Sequence, residues 1–557
     1  MKWKILLLCT LFTANFNSLL ADDCCDDTCD TSCCDDSCDD TCNDSCGQFG
    51  KTFFHAREAN QNTPLRMMGN AGYMHIFGKE CEIYGVFSAA VGYERSTDSC
   101  DIGKVFSFNS CGTTLFSGDR TTTNTSSNVD VGVTDSDARA TDFGMSGTHA
   151  ETLKFNPKIS KIIIDLDLFV GLDECINGLW ARVSAPIVHA RYDLDPCSSV
   201  TFAGGSYYPA GFVDTGTSTV EVPYTDVKTA WNQLGAFGDV EESKCGKIPC
   251  SSKRKTKLGA VSLDLGYDFV RCERYALGVS LHGVIPTGNA PRATTLFGPI
   301  AGTYNWQLGG SFNAHWTAWC CDDTQKFTIY AYGVMTHMFK DRQVRLLGLK
   351  LGNETPGNSW VLLKKFDGAG TYDDSIVRAS SMLGRNIKVG NNFMSDISLM
   401  AEYKYCNFNL SVGYNFWYRS KDTCSIKCKD KNSDGCRKGC YGAFTADTYG
   451  IKGISEVGTT TANDQFYSKA DSNIHTSGTA VNASSADSST FVLENDVDTC
   501  VALAPSAYSN KIFGFIGYTG EGVDYEPYFG IGGMYEAAQD NRAASQWGAY
   551  VKVGVSF

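Results

Sequence analysis

Val261, Leu263, Leu265, Tyr267 and Phe269 fall on one face of an extended segment, and Ser262, Asp264, Gly266 and Asp268 on the other. The turn RCER follows, and then Tyr275, Leu277, Val279 and Leu281 alternate with Ala276, Gly278, Ser280 and His282. Side chains of a strand point alternately to its two faces, so this stretch predicts a tight hairpin of two strands, each about ten residues and apolar on one side. The pattern recurs. Ile164, Leu166, Leu168, Val170 and Leu172 oppose Asp165, Asp167 and Gly171. Trp306, Leu308, Phe312 and Trp316 oppose Gln307, Ser311, Asn313 and His315. Ile397, Leu399, Ala401, Tyr403 and Tyr405 oppose Ser398, Glu402 and Lys404, and Phe408 to Tyr418 repeats the pattern against Asn409, Ser411, Asn415 and Arg419. Over 179–192 Val183 and Ile187 face one way and Arg182 the other.

A soluble β-sandwich carries the same alternation. Three features favour a transmembrane antiparallel barrel instead. Aromatic residues gather at strand ends (Trp306, Trp319, Trp417, Tyr418, Trp547), as in the interfacial girdles of membrane barrels. Short turns near 173–178, 271–274, 320–325, 406–407 and 520–524 alternate with long polar loops at 195–256, 286–304, 339–393 and 420–509. The chain ends WGAYVKVGVSF, placing Trp547, Ala549, Val551, Val553, Val555 and Phe557 on one face. A closed cylinder satisfies every backbone group in lipid. The expected fold is therefore an all-β barrel of about 14–16 strands, with at least one strand still to be found between 112 and 156. Segment 339–393 is a candidate constriction loop.

Composition adds two terminal segments. Lys2 and Lys4, the apolar run Ile5–Phe12 and Ala21 read as a signal peptide over 1–21. Residues 22–48 follow as a Cys/Asp-rich segment, and 49–557 as the barrel. The net charge of −14 is concentrated here: residues 22–46 hold ten aspartates and no basic residue, and no basic stripe points to nucleic acid. The chain has 25 cysteines, which suits an oxidising compartment. Cys24, Cys25, Cys29, Cys33, Cys34, Cys38, Cys42 and Cys46 form the segment's own set, for which disulfides or metal binding are both open. Cys175, Cys272, Cys320, Cys321 and Cys406 fall at the predicted short turns, with Cys81 just before the first strand. An N-terminal segment of an even-stranded barrel lies on that same, periplasmic side, so tail and turn cysteines are expected to share a compartment. Cys424, Cys428, Cys436 and Cys440 suggest a clamped external loop, and Cys245 and Cys250 a similar local pair.

The pieces GKTFFHAR (50–57), SAPIVHARYDL (184–194), GVIPTGNAP (283–291), THMFKDRQ (336–343), VGYNFWYRS (412–420), EPYFGIGG (526–533) and QWGAYVKVGVSF (546–557) together resemble the major outer membrane proteins of the legionella and chlamydia-like type, a porin family. The resemblance implies a general porin of the bacterial outer membrane, forming trimers or cross-linked to other envelope proteins. The terminal strand, through Trp547, Val551, Val553, Val555 and Phe557, looks like the signal read by the barrel assembly machinery.

Strand parity sends Asp165, Asp167, Arg182, Asp264, Asp268, His282, Asn313, His315, Glu402, Lys404 and Arg419 inward, because a charge on the lipid face costs about 2–4 kcal/mol near the midplane. These are the pore-lining candidates, and their modest excess of acids points to a weak cation preference; mutual salt-bridging that fills or braces the wall is the equal alternative. FVDTGTS (212–218) contains one DTG but no second copy to share a proton, and no P-loop, HExxH or nucleophile elbow is present. The sequence thus predicts a passive channel for ions and small hydrophilic solutes, needing no enzyme activity and no cofactor. A structural cysteine-rich envelope protein or an adhesin displaying long loops is the alternative.

Overall fold

The computed structural model describes residues 49–557 except 79–82, 119–136, 206–207, 209–210, 215–222, 322–323, 353–355, 368–369, 426–443, 445–447, 456, 458–464, 523–524 and 540–541. Twelve strands close into one antiparallel barrel. They are β1 (Ile83–Ser96), β2 (Lys158–Leu172), β3 (Leu179–Asp193), β4 (Ala260–Arg271), β5 (Tyr275–Pro286) and β6 (Gln307–Cys321), then β7 (Gln325–Leu346), β8 (Gly384–Tyr405), β9 (Phe408–Arg419), β10 (Ala507–Thr519), β11 (Glu526–Ala538) and β12 (Gln546–Ser556). Each strand pairs with the next in sequence, and β12 pairs back to β1 with Val551 opposite Val91. Phe557 finishes the seam, exchanging two backbone hydrogen bonds of 2.9 Å with Gly85.

The count is twelve rather than 14–16. The segment between 112 and 156 does contain strands, Thr113–Ser117 and Ala150–Phe155, but they join Pro196–Phe202 in a small separate sheet at the long-loop end. Their alternation is real, and their partners are loop strands rather than the wall.

The outer face is apolar as parity predicts. Leu281, Val412, Ile512 and Ile531 are each more than three-fifths exposed, on a surface that faces lipid. Trp306, Trp319 and Trp547 stand outward near strand ends. Trp417 does not: it is buried on the inner face, where its indole N–H donates to Gln61 Oε1 at 2.9 Å. One residue of parity separates it from Phe416 and Tyr418.

The short turns all lie at one end, together with the start of β1 and Phe557. At the other end, the described residues of loops 97–157, 194–259, 347–383 and 420–506 fold into a cap with its own aromatic core. Trp231 and Trp360 meet edge to face at 4.9 Å, and both indoles donate to the Gly246 carbonyl, at 2.8 and 3.0 Å. Phe108, Phe116 and Phe143 pack around them. Arg378 is buried in the cap on the carbonyls of Leu234, Gly235 and Glu241, and burial pulls its pKa down to about 10. The expected constriction loop 339–393 is instead two long strands, β7 and β8, paired out to Leu346 and Gly384, with 347–383 joining the cap.

Candidate functional site in the barrel lumen

Residues 49–78 run down the inside of the barrel. Gly50 and Lys51 donate to the carbonyls of Ser107 and Val105, and Thr52 to those of Val501 and Leu346, all at the long-loop end. Tyr73 reaches Thr519 Oγ1 at 2.8 Å beside the short turns, and β1 then climbs from that end. The chain therefore enters the described residues at the long-loop end. Residues 22–48, expected beside the turn cysteines, lie outside the described residues.

The segment makes one short helix, α1 (Thr63–Met67), with Pro64 in its first turn where a missing N–H costs nothing. The wall supplies both caps. Asp396 on β8 accepts from the Thr63 N–H at 3.1 Å and from its hydroxyl at 2.8 Å, at the end where backbone donors are unpaired. Lys552 on β12 donates to the carbonyls of Leu65 and Met68, at 2.7 and 2.8 Å, where cations are favoured. Gly69 follows at φ 73°, and a Cβ there would lie 2.8 Å from the Tyr528 ring.

Above α1, Arg57 bridges Asp396 at 2.9 Å and Glu536 at 2.8 Å, all three buried. Glu536 also takes Lys511 at 3.2 Å and Gln546 at 2.9 Å. Lys161 donates to the Arg57 carbonyl at 3.0 Å and stands 3.8 Å from Glu94. Below α1, Asn70 donates to Asp167 at 2.8 Å and to Ser88 at 3.0 Å, and accepts from the Tyr528 hydroxyl. His75 pairs with Asp268 at 2.9 Å and packs edge-on against Phe169 and Trp180. These contacts hold His75 at φ 59°, a left-handed conformation costing about 1–2 kcal/mol for a residue with a Cβ.

The pore-lining candidates mostly serve this segment or each other. Arg182 grips Asp167 with two bonds of 2.8 Å and donates a third, at 2.9 Å, to the Arg66 carbonyl. Asp264 meets His282 at 2.8 Å, and Asp268 accepts from Asn313 at 3.1 Å. Asp165 is buried on the same inner face. Glu402 accepts from Ser411 at 3.2 Å. His315 and Lys404 are half-buried nearer the short turns, where Lys404 stands opposite Lys326. Arg419 departs from the set: it is at the top of β9 and ties Asp422 and the Pro505 carbonyl into the cap, at 3.1 and 3.0 Å. Between the segment and the wall near Thr63 and Asp396 the cavity is about 20 Å³, room for about one water.

Sequence reading missed Arg57, Thr63, Asn70 and His75, because an irregular segment has no period. It also missed Asp396, Lys511, Glu536 and Lys552, whose inward parity was readable: Lys552 alternates with Val551 and Val553.

Cys175, Cys320, Cys321 and Cys406 are exposed thiols and Cys272 a half-exposed one, all at the short-turn end, and none forms a disulfide among the described residues. Cys424 is also a thiol, while Cys81, Cys428, Cys436 and Cys440 and the eight tail cysteines lie outside the described residues. Cys245 is disulfide-bonded, as are Cys100, Cys111 and Cys197, whereas Cys250 Sγ lies 4.0 Å from the Lys228 carbonyl, so the expected Cys245–Cys250 pair does not form. Asp214 of the lone DTG lies at the long-loop end beside residues outside the described set.

No family model matches the sequence, and no curated protein matches it. Among solved structures, an outer membrane channel from Pseudomonas putida F1 aligns over 86% of this chain and 98% of its own, at 9% identity and a TM-score of 0.34. The transport unit of the Escherichia coli autotransporter AIDA-I aligns over 91% and 99%, at 8% identity and 0.26. The Ralstonia pickettii toluene transporter TbuX aligns over 87% and 93%, at 7% identity and 0.24. At such scores the barrel assignment rests on the strand pairing itself.

Proposed function

We propose that the chain is an outer-membrane channel in which residues 49–78 form a displaceable plug. It passes ions and small hydrophilic solutes by passive diffusion when the plug shifts. The observation that carries this reading is the polar character of the plug's attachment. Arg57, Thr63, Asn70 and His75 are held by carboxylates, amides and hydroxyls of a polar wall, and each of these groups can exchange its partner for water. A wall built only for rigidity is better served by apolar packing. Beside the top of the barrel, a cleft of about 370 Å³ lined by Lys255, Lys257, Arg292 and Arg345 offers an aqueous approach. The chain needs no catalytic group for this task.

Planar-bilayer recording tests the proposal. The folded protein is expected to show rare openings, Arg57→Ala to raise the open fraction, and a Thr63→Cys/Ser398→Cys cross-link to silence it. The two hydroxyls are 2.7 Å apart. Absence of conductance in both the native chain and Arg57→Ala would overturn it. A second reading, an anchor that displays the cap, is favoured by the cap's aromatic core, and that silent outcome would select it.

Envelope cross-linking extends the same reading. The exposed thiols at the short-turn end are placed to form disulfides with a second copy or another envelope protein, and non-reducing electrophoresis showing only monomer would refute this. Removal of Phe557 is expected to reduce insertion by the barrel assembly machinery.

A further inference from the structure

On the outer face, the strand register puts Trp547, Arg95, Ser160, Arg191 and Arg254 in one cross-strand row. Arg95 is opposite both Trp547 and Ser160, Ser160 opposite Arg191, and Arg191 opposite Arg254 on the short strand Lys253–Leu258. The three arginines are exposed, and among the described residues none makes an ion pair within 4.0 Å. The row lies just beyond the apolar band. On β1 the outward column runs from Ile83 to Tyr93 before reaching Arg95. Ten residues at about 3.3 Å, tilted about 40°, cover roughly 25 Å of height, the span of a membrane barrel's apolar belt. The neighbouring strands switch likewise, from Ile162 to Ser160 and from Ile187 through His189 to Arg191.

This sector differs from the rest of the rim. Elsewhere the upper edge of the belt carries aromatic side chains, Trp306, Phe339, Phe393, Tyr508 and Tyr535. Here guanidinium groups stand in their place. Arg95 and Arg191 border a recess of about 190 Å³ lined also by Tyr93, Lys158, Ser160 and Asp193. Asp193 is its one carboxylate, and Lys158 is engaged by Asp195 at 2.8 Å. The recess therefore keeps a net positive charge, with a hydroxyl and an aromatic ring beneath it and apolar wall below.

We propose that this row is a binding site for a phosphate-bearing lipid of the leaflet at the long-loop end, its phosphate held by Arg95 and Arg191 and its acyl chains on Tyr93, Ile162 and Ile187. Planar guanidinium forks match phosphate oxygens, and the strand spacing of about 4.8 Å sets the three arginines across roughly 15 Å, enough for more than one phosphate. An anionic lipid satisfies both halves of the site, which a soluble anion does not. The site rests on the membrane barrel and is independent of whether the lumen conducts.

The test uses the folded full-length barrel in detergent micelles doped with bisphosphorylated lipid A or its dephosphorylated form, read by native mass spectrometry. Three exposed arginines at an anionic surface predict a preference of at least about tenfold for the phosphorylated lipid. The combined Arg95→Gln/Arg191→Gln/Arg254→Gln variant is expected to lose that preference and still show heat-modifiable migration. Lys340→Gln, exposed on the opposite wall, is expected to keep it. Equal binding of both lipids by the native chain, or a preference that survives the triple change, would overturn the site. Full competition by inorganic phosphate would overturn the lipid as its occupant.

Discussion

The two faces of the barrel wall are made by the same strands and answer to different physics. On β12, Val551 and Val553 face lipid, where any apolar side chain of similar size serves, because the contact is non-directional. Lys552 between them ends α1 through two hydrogen bonds at fixed positions, which no substitute reproduces. The outer face thus needs a class of residue, while the inner face needs particular residues with particular partners. Outward tolerance and inward specificity should separate cleanly under mutation.

The largest effect is expected inside. Arg57→Ala leaves Asp396 and Glu536 buried without their shared cation, and loss of one partner of a buried pair costs about 3–5 kcal/mol. Limited proteolysis should show residues 49–62 becoming cleavable while the wall stays intact. Next comes the outer face when its one requirement is violated. Val551→Arg should cost about 2–4 kcal/mol in denaturant titration of vesicle-embedded protein, while Val551→Leu should change little. Asn70→Ala removes a side chain that bonds Asp167, Ser88 and Tyr528, and a loss of about 1–3 kcal/mol is expected in the same titration. The smallest effect belongs to the turns: Cys406→Ser, at an exposed thiol, should stay within about 0.5 kcal/mol. A ranking in which outward apolar swaps cost as much as Arg57→Ala would erase the distinction between the faces.

The same contrast explains what the sequence disclosed. A period of two is a local signal, so each wall strand announces itself, and hairpins such as Val261–Leu281 are readable with their turn. Inward parity followed for Asp167, Arg182, Asp264 and Asp268, though not their task. What they hold comes from a segment lacking any period, whose partners lie far along the chain: Asn70 and Asp167 are 97 residues apart, Arg57 and Glu536 479. No pattern within a window reports such a pairing. The same limit led a wall strand to be expected between 112 and 156, where Thr113–Ser117 alternates like a barrel strand, and it placed Trp417 in a girdle when its indole points to Gln61.

Whether residues 49–78 fill the lumen is measured most directly by thiol accessibility. Thr63→Cys in the folded protein is treated with a water-soluble maleimide, and labelled peptides are read by mass spectrometry with Cys406 as internal standard. The structure predicts that Cys406 labels rapidly and position 63 far more slowly, catching up only on heat unfolding, since Thr63 is 1% exposed and Cys406 lies on an open turn. Labelling of position 63 at the rate of Cys406 in the folded barrel would contradict it.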